Sequence, residues 1–306
     1  MSDLKILVVG AGATGGYFGG RLLQAGRDVT FLVRPARAKL LRERGLRIVG
    51  LGEDTVLDPP LVETGSLDGT YDLVLLAVKA SGLASAIDDF APAVGPGTLI
   101  LPFLNGLAHI DVLDKRFGSD AVLGGVAKVQ TTIDDDGAIR RLGPLQSLAY
   151  GARAEAPTNL AAVDEALKNA GFTAALDARI TESMWAKWVF IAAIGAVNSL
   201  MRGTIGEVVA VPGGADFAEA VVAEAAAVAA AAGYPVPAAD LAATRKTVTD
   251  PAMGGSSLYR DLLAGHPVEG EQIFGDLTAR ARELGVATPL LDLVTLQLRV
   301  HQHRIG

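Results

Sequence analysis

The chain has 306 residues, of which 50% are hydrophobic and 20% are charged, and its formal net charge is −7 at pH 7. This length suits two domains, and the composition is sufficient for a large hydrophobic core. The negative charge argues against a nucleic-acid surface, which would need clustered basic residues. Because the sequence contains no cysteine, it excludes disulfides, cysteine-ligated zinc, iron–sulfur clusters and thiol nucleophiles.

The first 34 residues have the pattern of a strand, a glycine turn, a helix and a second strand. An apolar run at residues 4–9 leads into Gly-Ala-Gly-Ala-Thr-Gly at residues 10–15. An amphipathic segment follows, and a second apolar run covers residues 29–33. In this context a G-x-G-x-x-G motif predicts a dinucleotide-binding site.

Each glycine of this motif has a physical role in such a site. Gly10 permits the tight turn, Gly12 lets the backbone approach a pyrophosphate, and Gly15 lets the helix pack closely against the strand. The N–H groups of the first helical turn, on residues such as Ala13 and Thr14, would then hold the phosphates at the positive end of the helix dipole.

The residue at the end of the second strand discriminates between the two nicotinamide cofactors. An NAD site usually places a carboxylate there to bind the ribose 2′-hydroxyl. This chain has Arg34, followed by Arg37 and Lys39. A guanidinium can bind a 2′-phosphate with two parallel hydrogen bonds, so the sequence favours NADP(H). The alternative is that these are ordinary solvated charges at the start of a surface helix.

The remaining elements of the first half continue an α/β pattern. We predict helices near residues 35–44 and 83–94, and strands at 46–49, 56–61, 72–79 and 98–103. Residues 72–79 form a nearly continuous apolar run, which is typical of a parallel strand buried on both faces. Residues 121–150 suggest hairpins with turns at 134–137 and 143–144. We expect a doubly wound parallel Rossmann sheet with its ligand crevice at the carboxyl ends of the strands.

The pattern becomes helical in the second half. We predict a helix at residues 160–169, a short strand at 172–176, and then helices at 218–232, 256–264, 271–284 and 290–301. The expected organisation is an NADP-binding Rossmann domain at residues 1–177 and an all-α domain at 178–306 for substrate binding and dimerisation. The Ala-rich helix at 218–232 could form a homodimer contact, although such a helix is more often a close-packed core element.

The sequence also gives expectations about location and metals. The first strand starts at Leu4, which leaves no room for a signal peptide. The longest apolar runs, such as residues 188–197, are shorter than a membrane span. A soluble cytoplasmic protein is therefore expected. The four histidines lack metalloprotease spacing, and no metal site is predicted.

Two polar residues follow predicted strands of the first half. Lys79 ends the strand at 72–79, which would place its ammonium near the cofactor phosphates, although an ordinary strand-end lysine would look the same. Asn105 and Gly106 follow the strand at 98–103. An Asn-Gly pair usually marks only a turn. At the carboxyl end of such a strand, however, the amide could reach the nicotinamide or the substrate.

Two ionisable residues of the second half are candidates for catalysis. Lys187 lies within an otherwise apolar helical run, so it must reach water or face a polar cavity. Burial would lower its pKa towards that of a useful general acid. Glu269 follows Gly-His-Pro at residues 265–267 and should open the next helix. Its alternative role is that of an acidic first-turn residue stabilised by the helix dipole.

Taken together, these motifs resemble the ketopantoate reductases (2-dehydropantoate 2-reductases), relatives of the 6-phosphogluconate and 3-hydroxyacid dehydrogenases. The resemblance covers nearly the whole chain. It rests on the glycine motif at 10–16, Phe-Leu-Val-Arg at 31–34, Val-Lys-Ala at 78–80, Asn-Gly at 105–106, Trp-x-Lys at 185–187, Ser-Ser-x-x-x-Asp at 256–261 and Glu269. The resemblance implies NADPH-dependent reduction of a 2-oxo acid, first of all 2-dehydropantoate to pantoate in pantothenate biosynthesis. It also implies that Arg34 and Lys79 hold cofactor phosphates.

The resemblance further implies roles for the substrate side of the site. Lys187 would be the general acid, and Glu269 would orient the substrate and the lysine. Asn105 would bridge cofactor and substrate, and Ser257 would hold the substrate carboxylate.

The chain departs from the family where asparagines usually line the substrate site. Those positions are Ile191, Gly195 and Ile205 here. The first two lie about 40° and 80° around the helix from Lys187 and should face the same crevice as substrate-binding positions. Asn198 points nearly the same way as the lysine but lies roughly 16 Å further along the axis, too far to replace them.

Losing these amides would remove hydrogen bonds that a hydroxylated substrate uses. One alternative is therefore a related reductase or 3-hydroxyacid dehydrogenase acting on a less hydroxylated or bulkier oxo acid. A second alternative is a non-catalytic NADPH-binding sensor, against which the retention of Lys187 and Glu269 argues.

Overall fold

The computed structural model describes residues 4–306, which divide into two compact units. One unit comprises the residues up to Leu104 together with His109–Ile180. The other comprises Asn105–Ala108 and Thr181–Gly306. The first unit is α/β and the second is helical, which confirms the predicted fold class.

The first unit contains ten strands and five helices among the described residues. The strands are β1 (Lys5–Val9), β2 (Asp28–Val33), β3 (Leu46–Gly50), β4 (Glu53–Leu57), β5 (Leu61–Glu63), β6 (Tyr71–Leu76), β7 (Val94–Pro102), β8 (Gly124–Ile133), β9 (Ile139–Gly151) and β10 (Thr173–Leu176). The helices are α1 (Ala13–Gln24), α2 (Pro35–Arg44), α3 (Leu83–Phe90), α4 (Ala108–Phe117) and α5 (Leu160–Leu167). Helix α4 has no counterpart among the elements predicted from the sequence.

Strands β5, β2, β1, β6 and β7, in that order, form an all-parallel sheet. Its central strand β1 is apolar from Ile6 to Val9, and Ile6, Leu7 and Val8 are completely buried. Parallel strands covered on both faces have this composition. Strand β6 ends at Leu76, earlier than the predicted residue 79. The backbone nonetheless continues alongside β1, because the Ala77 N–H donates to the Val9 carbonyl at 3.0 Å.

A second sheet has the order β10-β9-β3-β4, with β8 paired antiparallel to β9. The hairpin turn predicted at 134–137 is confirmed, since the Gly137 N–H donates to the Asp134 carbonyl. The turn predicted at Gly143 and Pro144 is wrong, because both residues lie within β9. The register shifts in this region, where Val129 pairs opposite residue 146 and the next pair is formed by residues 131 and 141. A bulge of this kind accommodates a proline that cannot donate to the ladder.

The predicted strand at 56–61 is divided between the two sheets. Strand β4 ends at Leu57 and β5 begins at Leu61. Pro59 and Pro60 lie between them and cannot donate backbone hydrogen bonds. The Pro60 carbonyl still accepts from the Phe31 N–H at 2.9 Å, which guides the chain onto the edge of the parallel sheet.

Helix α1 contacts both sheets and contains four glycines. A Cβ atom on Gly19 would lie 2.6 Å from the Phe31 ring of the parallel sheet. On another face of the helix, a Cβ on Gly16 would lie 2.5 Å from the Ile139 side chain of the second sheet, and Gly20 is similarly confined. Glycine weakens an isolated helix by about 1 kcal/mol per residue relative to alanine. Here its small size allows two sheets to pack against one helix.

The second unit is built on a long apolar helix. Its helices are α6 (Ile180–Met201), whose first residue belongs to the other unit, and α7 (Ile205–Val209), α8 (Gly214–Ala231), α9 (Ala238–Val248), α10 (Ser257–Leu263), α11 (Asp276–Glu283) and α12 (Pro289–Ile305). Helix α6 is longer than the apolar run expected at 188–197, and by length and composition alone it could cross a membrane. However, 67% of its most apolar stretch is buried inside the protein, as expected of a core helix.

Replacing Gly19 by Ala should lower the free energy of unfolding by about 1–3 kcal/mol, because the added Cβ would overlap the Phe31 ring. At an unconstrained helical position the same change would raise stability by about 1 kcal/mol. Chemical denaturation followed by circular dichroism measures the difference. A stabilised variant would contradict close packing of α1 against the parallel sheet.

Candidate functional site

The glycine turn between β1 and α1 has the geometry that its sequence predicts. Gly10 has a φ of +96°, and a Cβ there would lie 3.1 Å from the Ala77 carbonyl oxygen. A Cβ on Gly15 would lie 2.2 Å from the Gly10 carbonyl oxygen, so the helix approaches the turn closely. By contrast, a Cβ on Gly12 would meet no atom within 4 Å. The backbone at Gly12 therefore has open space beside it.

The start of α1 fits a dinucleotide pyrophosphate. Gly12 is the N-cap, no side chain caps the helix there, and no acidic residue lies in its first turn. Ala13 and Thr14 in this turn are half-buried. Backbone N–H groups at the start of a helix, together with the helix dipole, favour bound phosphate. The open space, the donors and the dipole therefore suit the cofactor's phosphates.

Arg34 follows β2 directly and is the exposed N-cap residue of α2. Its Nη2 donates to the Ser85 hydroxyl at 3.3 Å, and this hydroxyl donates to the Gly82 carbonyl at 3.1 Å. The guanidinium thus stands at the strand end where an NAD site would carry a carboxylate. Its exposure and positive charge fit a 2′-phosphate. Ser85 lies in α3 and has no feature in the sequence that marks it as a partner of Arg34.

Lys79 lies in the segment that Arg34 contacts. It is exposed and precedes a 3₁₀ turn at Ala80–Gly82, where the Gly82 N–H donates to the Lys79 carbonyl at 2.9 Å. Two cationic residues therefore stand on adjoining segments of the first unit, beyond the carboxyl ends of β2 and β6. The role of Lys79 in binding phosphate stays a prediction.

In the second unit, Asn105 and Glu269 are in direct contact. The Asn105 Nδ2 donates to a Glu269 carboxylate oxygen at 3.1 Å, although the residues are 164 positions apart. Gly106 has a φ of +72°, and a Cβ there would lie only 2.1 Å from the Gln272 carbonyl oxygen. The Asn-Gly pair is therefore more than a surface turn, since its glycine lets the backbone approach the segment that follows Glu269.

That segment is a π-helical turn at Glu271–Gly275, which precedes α11. The prediction of a regular helix from residue 271 is therefore wrong over its first turn. The Trp188 Nε1 donates to the Ile273 carbonyl at 2.9 Å, so a side chain of α6 provides a hydrogen-bond donor to the widened turn. Single π-turns are frequent at functional sites. Lys187, the residue before Trp188, is half-buried on α6.

Ser257 is the exposed first residue of α10. Its position depends on Asn198, for which the sequence predicts no role in the site. Asn198 is completely buried on α6. Its Oδ1 accepts from the Ser256 N–H at 2.9 Å, and its Nδ2 donates to the Gly203 carbonyl at 2.8 Å. Asn198 therefore fixes the chain that leads into Ser257. An asparagine within an apolar helix is the feature of the sequence that could have indicated this role, because a buried amide needs polar partners.

The positions that depart from the family pattern carry apolar residues or glycine and are at least half-buried. Ile191 is half-buried, whereas Ile205 is completely buried as the first residue of α7. Gly195 is buried, and a Cβ on it would lie 3.2 Å from the Phe274 ring. A side chain at residue 195 would therefore press against the Phe274 ring. A role for Ile191 in contacting substrate stays a prediction.

The parallel sheet, the glycine turn and the arginine after β2 define the class, a Rossmann-type oxidoreductase that uses NADP(H). A family model described as ketopantoate reductase PanE/ApbA matches residues 6–155, and its C-terminal counterpart matches residues 179–302. The chain belongs to the ketopantoate reductase family. This family reduces 2-oxo acids with NADPH.

Individual relatives match over almost their whole length. An uncharacterized oxidoreductase, YkpB of Bacillus subtilis, is 32% identical over 98% of this chain and 99% of its own. A 2-dehydropantoate 2-reductase of Mesorhizobium japonicum is 28% identical over 97% of both chains. The crystal structure of a PanE/ApbA family ketopantoate reductase from Ralstonia eutropha has a TM-score of 0.88 at 25% identity and covers 99% of both chains.

Replacing Asn198 by Ala should lower the free energy of unfolding by about 2 kcal/mol, because the half-buried Ser256 N–H and the buried Gly203 carbonyl lose their side-chain partner. Ser199 is the matched control: it is also completely buried, and its hydroxyl has no hydrogen-bond partner in the part of the chain that the structure describes. Ser199→Ala should be neutral or slightly stabilising. Equal losses in chemical denaturation of the two variants would contradict the anchoring role of Asn198.

Proposed function

We propose that this protein reduces a 2-oxo acid to the corresponding 2-hydroxy acid with NADPH, and that 2-dehydropantoate is the first candidate substrate. The observation that carries the proposal is the 3.1 Å hydrogen bond between Asn105 and Glu269 in the helical unit. It holds an amide and a carboxylate together beside a widened helical turn, in a chain that also provides a dinucleotide-binding turn.

The proposed chemistry assigns a separate task to each polar residue. NADPH, when bound, supplies the hydride that reduces the substrate carbonyl. Lys187 would donate a proton to the oxygen of that carbonyl as negative charge develops on it. Its partial burial strengthens the attraction between its ammonium and this charge, because nearby protein excludes water. Glu269 would orient the substrate and the lysine, and Asn105, which Glu269 holds by its amide, would contact cofactor and substrate. Ser257 would hold the substrate carboxylate.

A less hydroxylated oxo acid is the second candidate substrate. Its support is that the family's asparagine positions carry Ile191, Ile205 and, against Phe274, Gly195. These positions offer no side-chain hydrogen bonds, and a site without buried polar partners discriminates poorly in favour of substrate hydroxyl groups.

The wider setting follows from the first candidate substrate. Reduction of 2-dehydropantoate would place the protein in pantothenate biosynthesis in the cytoplasm. A homodimer through the helical unit stays a prediction. Leu293, Leu296 and Val300, all exposed on α12 at helical spacing, are a candidate surface for it.

NADPH oxidation measured across a panel of 2-oxo acids tests the proposal. The panel should include 2-dehydropantoate and acids with unbranched, branched and aromatic side chains. Turnover with at least one member supports the reductase function, and the preferred member identifies the substrate class. Tight NADPH binding without turnover of any acid would instead favour a cofactor-binding sensor.

Replacing Lys187 by Ala should lower turnover of the preferred acid by about 100-fold or more, because the developing oxyanion loses its proton donor. NADPH affinity should remain near that of the wild type. Lys246→Ala, which removes an exposed lysine of α9, is the control and should leave turnover unchanged. A Lys187→Ala variant with normal turnover would reject the acid role.

Replacing Arg34 by Ala should weaken NADPH binding by about tenfold or more, because a charge-assisted pair with the 2′-phosphate is lost. NADH affinity should change little, since NADH lacks that phosphate. Arg42→Ala on the same helix removes an exposed arginine that pairs with Glu63, and should affect neither cofactor. Calorimetric titration measures both affinities, and equal losses for NADPH and NADH would reject the phosphate role of Arg34.

A further inference from the structure

Arg37 is an arginine of α2 that the sequence suggested could be an ordinary solvated charge. It is half-buried instead, and it points at the glycine turn. Its Nε donates to the Ala11 carbonyl at 3.0 Å, and its Nη1 donates to the Gly137 carbonyl at 3.0 Å. Ala11 is the residue between the first two glycines of the turn, and Gly137 lies in the β8–β9 hairpin turn. One guanidinium therefore joins the cofactor loop to the second sheet.

No acidic side chain in the described part of the chain, residues 4–306, neutralises the charge of Arg37. Its third nitrogen, Nη2, is buried without a hydrogen-bond partner among residues 4–306. Both acceptors that it does contact are neutral carbonyls. Burial lowers the pKa of the guanidinium, and no carboxylate offsets that effect. Buried charges are usually paired, so an unpaired one next to a ligand loop requires an explanation.

The hairpin reaches the glycine turn at a second point. The Thr131 Oγ1 on β8 donates to the Ala13 carbonyl at 3.1 Å. At Gly137 the approach requires glycine, because φ is +81° and a Cβ would lie 3.0 Å from the Arg37 Nη1 and 2.4 Å from the Leu40 side chain. Carbonyls of the turn are thus held by donors from Arg37 and from the hairpin. The N–H groups at the start of α1 are left available for phosphate.

We propose that Arg37 is a positioning residue of the cofactor site, which acts on the cofactor by placing an uncompensated positive charge directly behind the glycine turn. Its buried guanidinium need not touch the ligand. Because charges interact over several ångströms where water is excluded, the guanidinium would favour binding of the pyrophosphate that NADPH and NADH share. Arg34, by contrast, would act only on the 2′-phosphate. This inference rests on the dinucleotide site of the proposed function.

Calorimetric titration of three variants with both cofactors tests the proposal. Arg37→Gln removes the charge and keeps hydrogen-bonding atoms, and should weaken NADPH and NADH alike by about tenfold. Arg37→Lys keeps the charge and should retain affinities within about threefold of the wild type. Arg34→Ala should weaken NADPH alone. Rescue by lysine is the result that a merely structural arginine would not give, because lysine cannot bridge both carbonyls as the guanidinium fork does.

Several outcomes would overturn the inference. Wild-type affinity in Arg37→Gln would remove any role in cofactor binding. Equal losses in the glutamine and lysine variants would assign the effect to hydrogen-bond geometry and not to charge. A loss confined to NADPH would mean that Arg37 acts on the 2′-phosphate. If Arg37→Gln does not fold, Arg37→Lys decides, and a tenfold loss there contradicts the proposal. A wild-type protein that binds neither cofactor would overturn the proposed function as well, which distinguishes that failure from the others.

Discussion

The close packing of α1 between two sheets is the constraint on which the rest of the first unit depends. Gly16 and Gly19 leave no room for a side chain, so both sheets contact the helix along its backbone. The glycines weaken the helix intrinsically, and packing of the flanking apolar side chains offsets that loss. The same packing brings the β8–β9 hairpin within hydrogen-bonding distance of the glycine turn, where Thr131 reaches the Ala13 carbonyl.

Arg34 and Arg37, which stand near the predicted cofactor site, differ in their hydrogen-bond partners from many other arginines of this acidic chain. Many other arginines pair with carboxylates, as Arg21 does with Glu53 and Arg47 with Asp54, although Arg27 donates to backbone carbonyls. At the glycine turn and the end of β2, Arg37 and Arg34 bond only to neutral oxygens among the described residues. Two positive charges that bond only to neutral oxygens therefore stand where an anionic cofactor would bind, although the net charge of the protein is −7. Local placement of charge, and not the overall sum, determines such binding.

The parts of the structure that could be predicted from the sequence are those with local signals. The glycine turn and α2 follow from residues close together in the chain, and α2 spans the predicted residues 35–44. The Asn105–Glu269 contact and the π-turn bonded to Trp188 depend on residues far apart in sequence, so no local pattern reports them. The second sheet is difficult to predict from the sequence for the same reason, because β3 pairs in parallel with β9, about 90 residues later in the chain. Gly-Pro at 143–144 suggested a turn, whereas the register shift of the hairpin absorbs it as a bulge.

The apolar positions near Lys187 belong to the packing of the helical unit as well as to the question of its substrate. Phe274 is completely buried, and its ring approaches the place where any side chain at residue 195 would begin. A glycine at 195 and a phenylalanine at 274 are therefore coupled, since a larger residue at one position requires movement at the other. The π-turn that carries Phe274 is itself held by Trp188, the residue after Lys187. An asparagine at residue 195 would need the Phe274 ring to shift by a few tenths of an ångström, so the glycine at this position is linked to the packing of the π-turn.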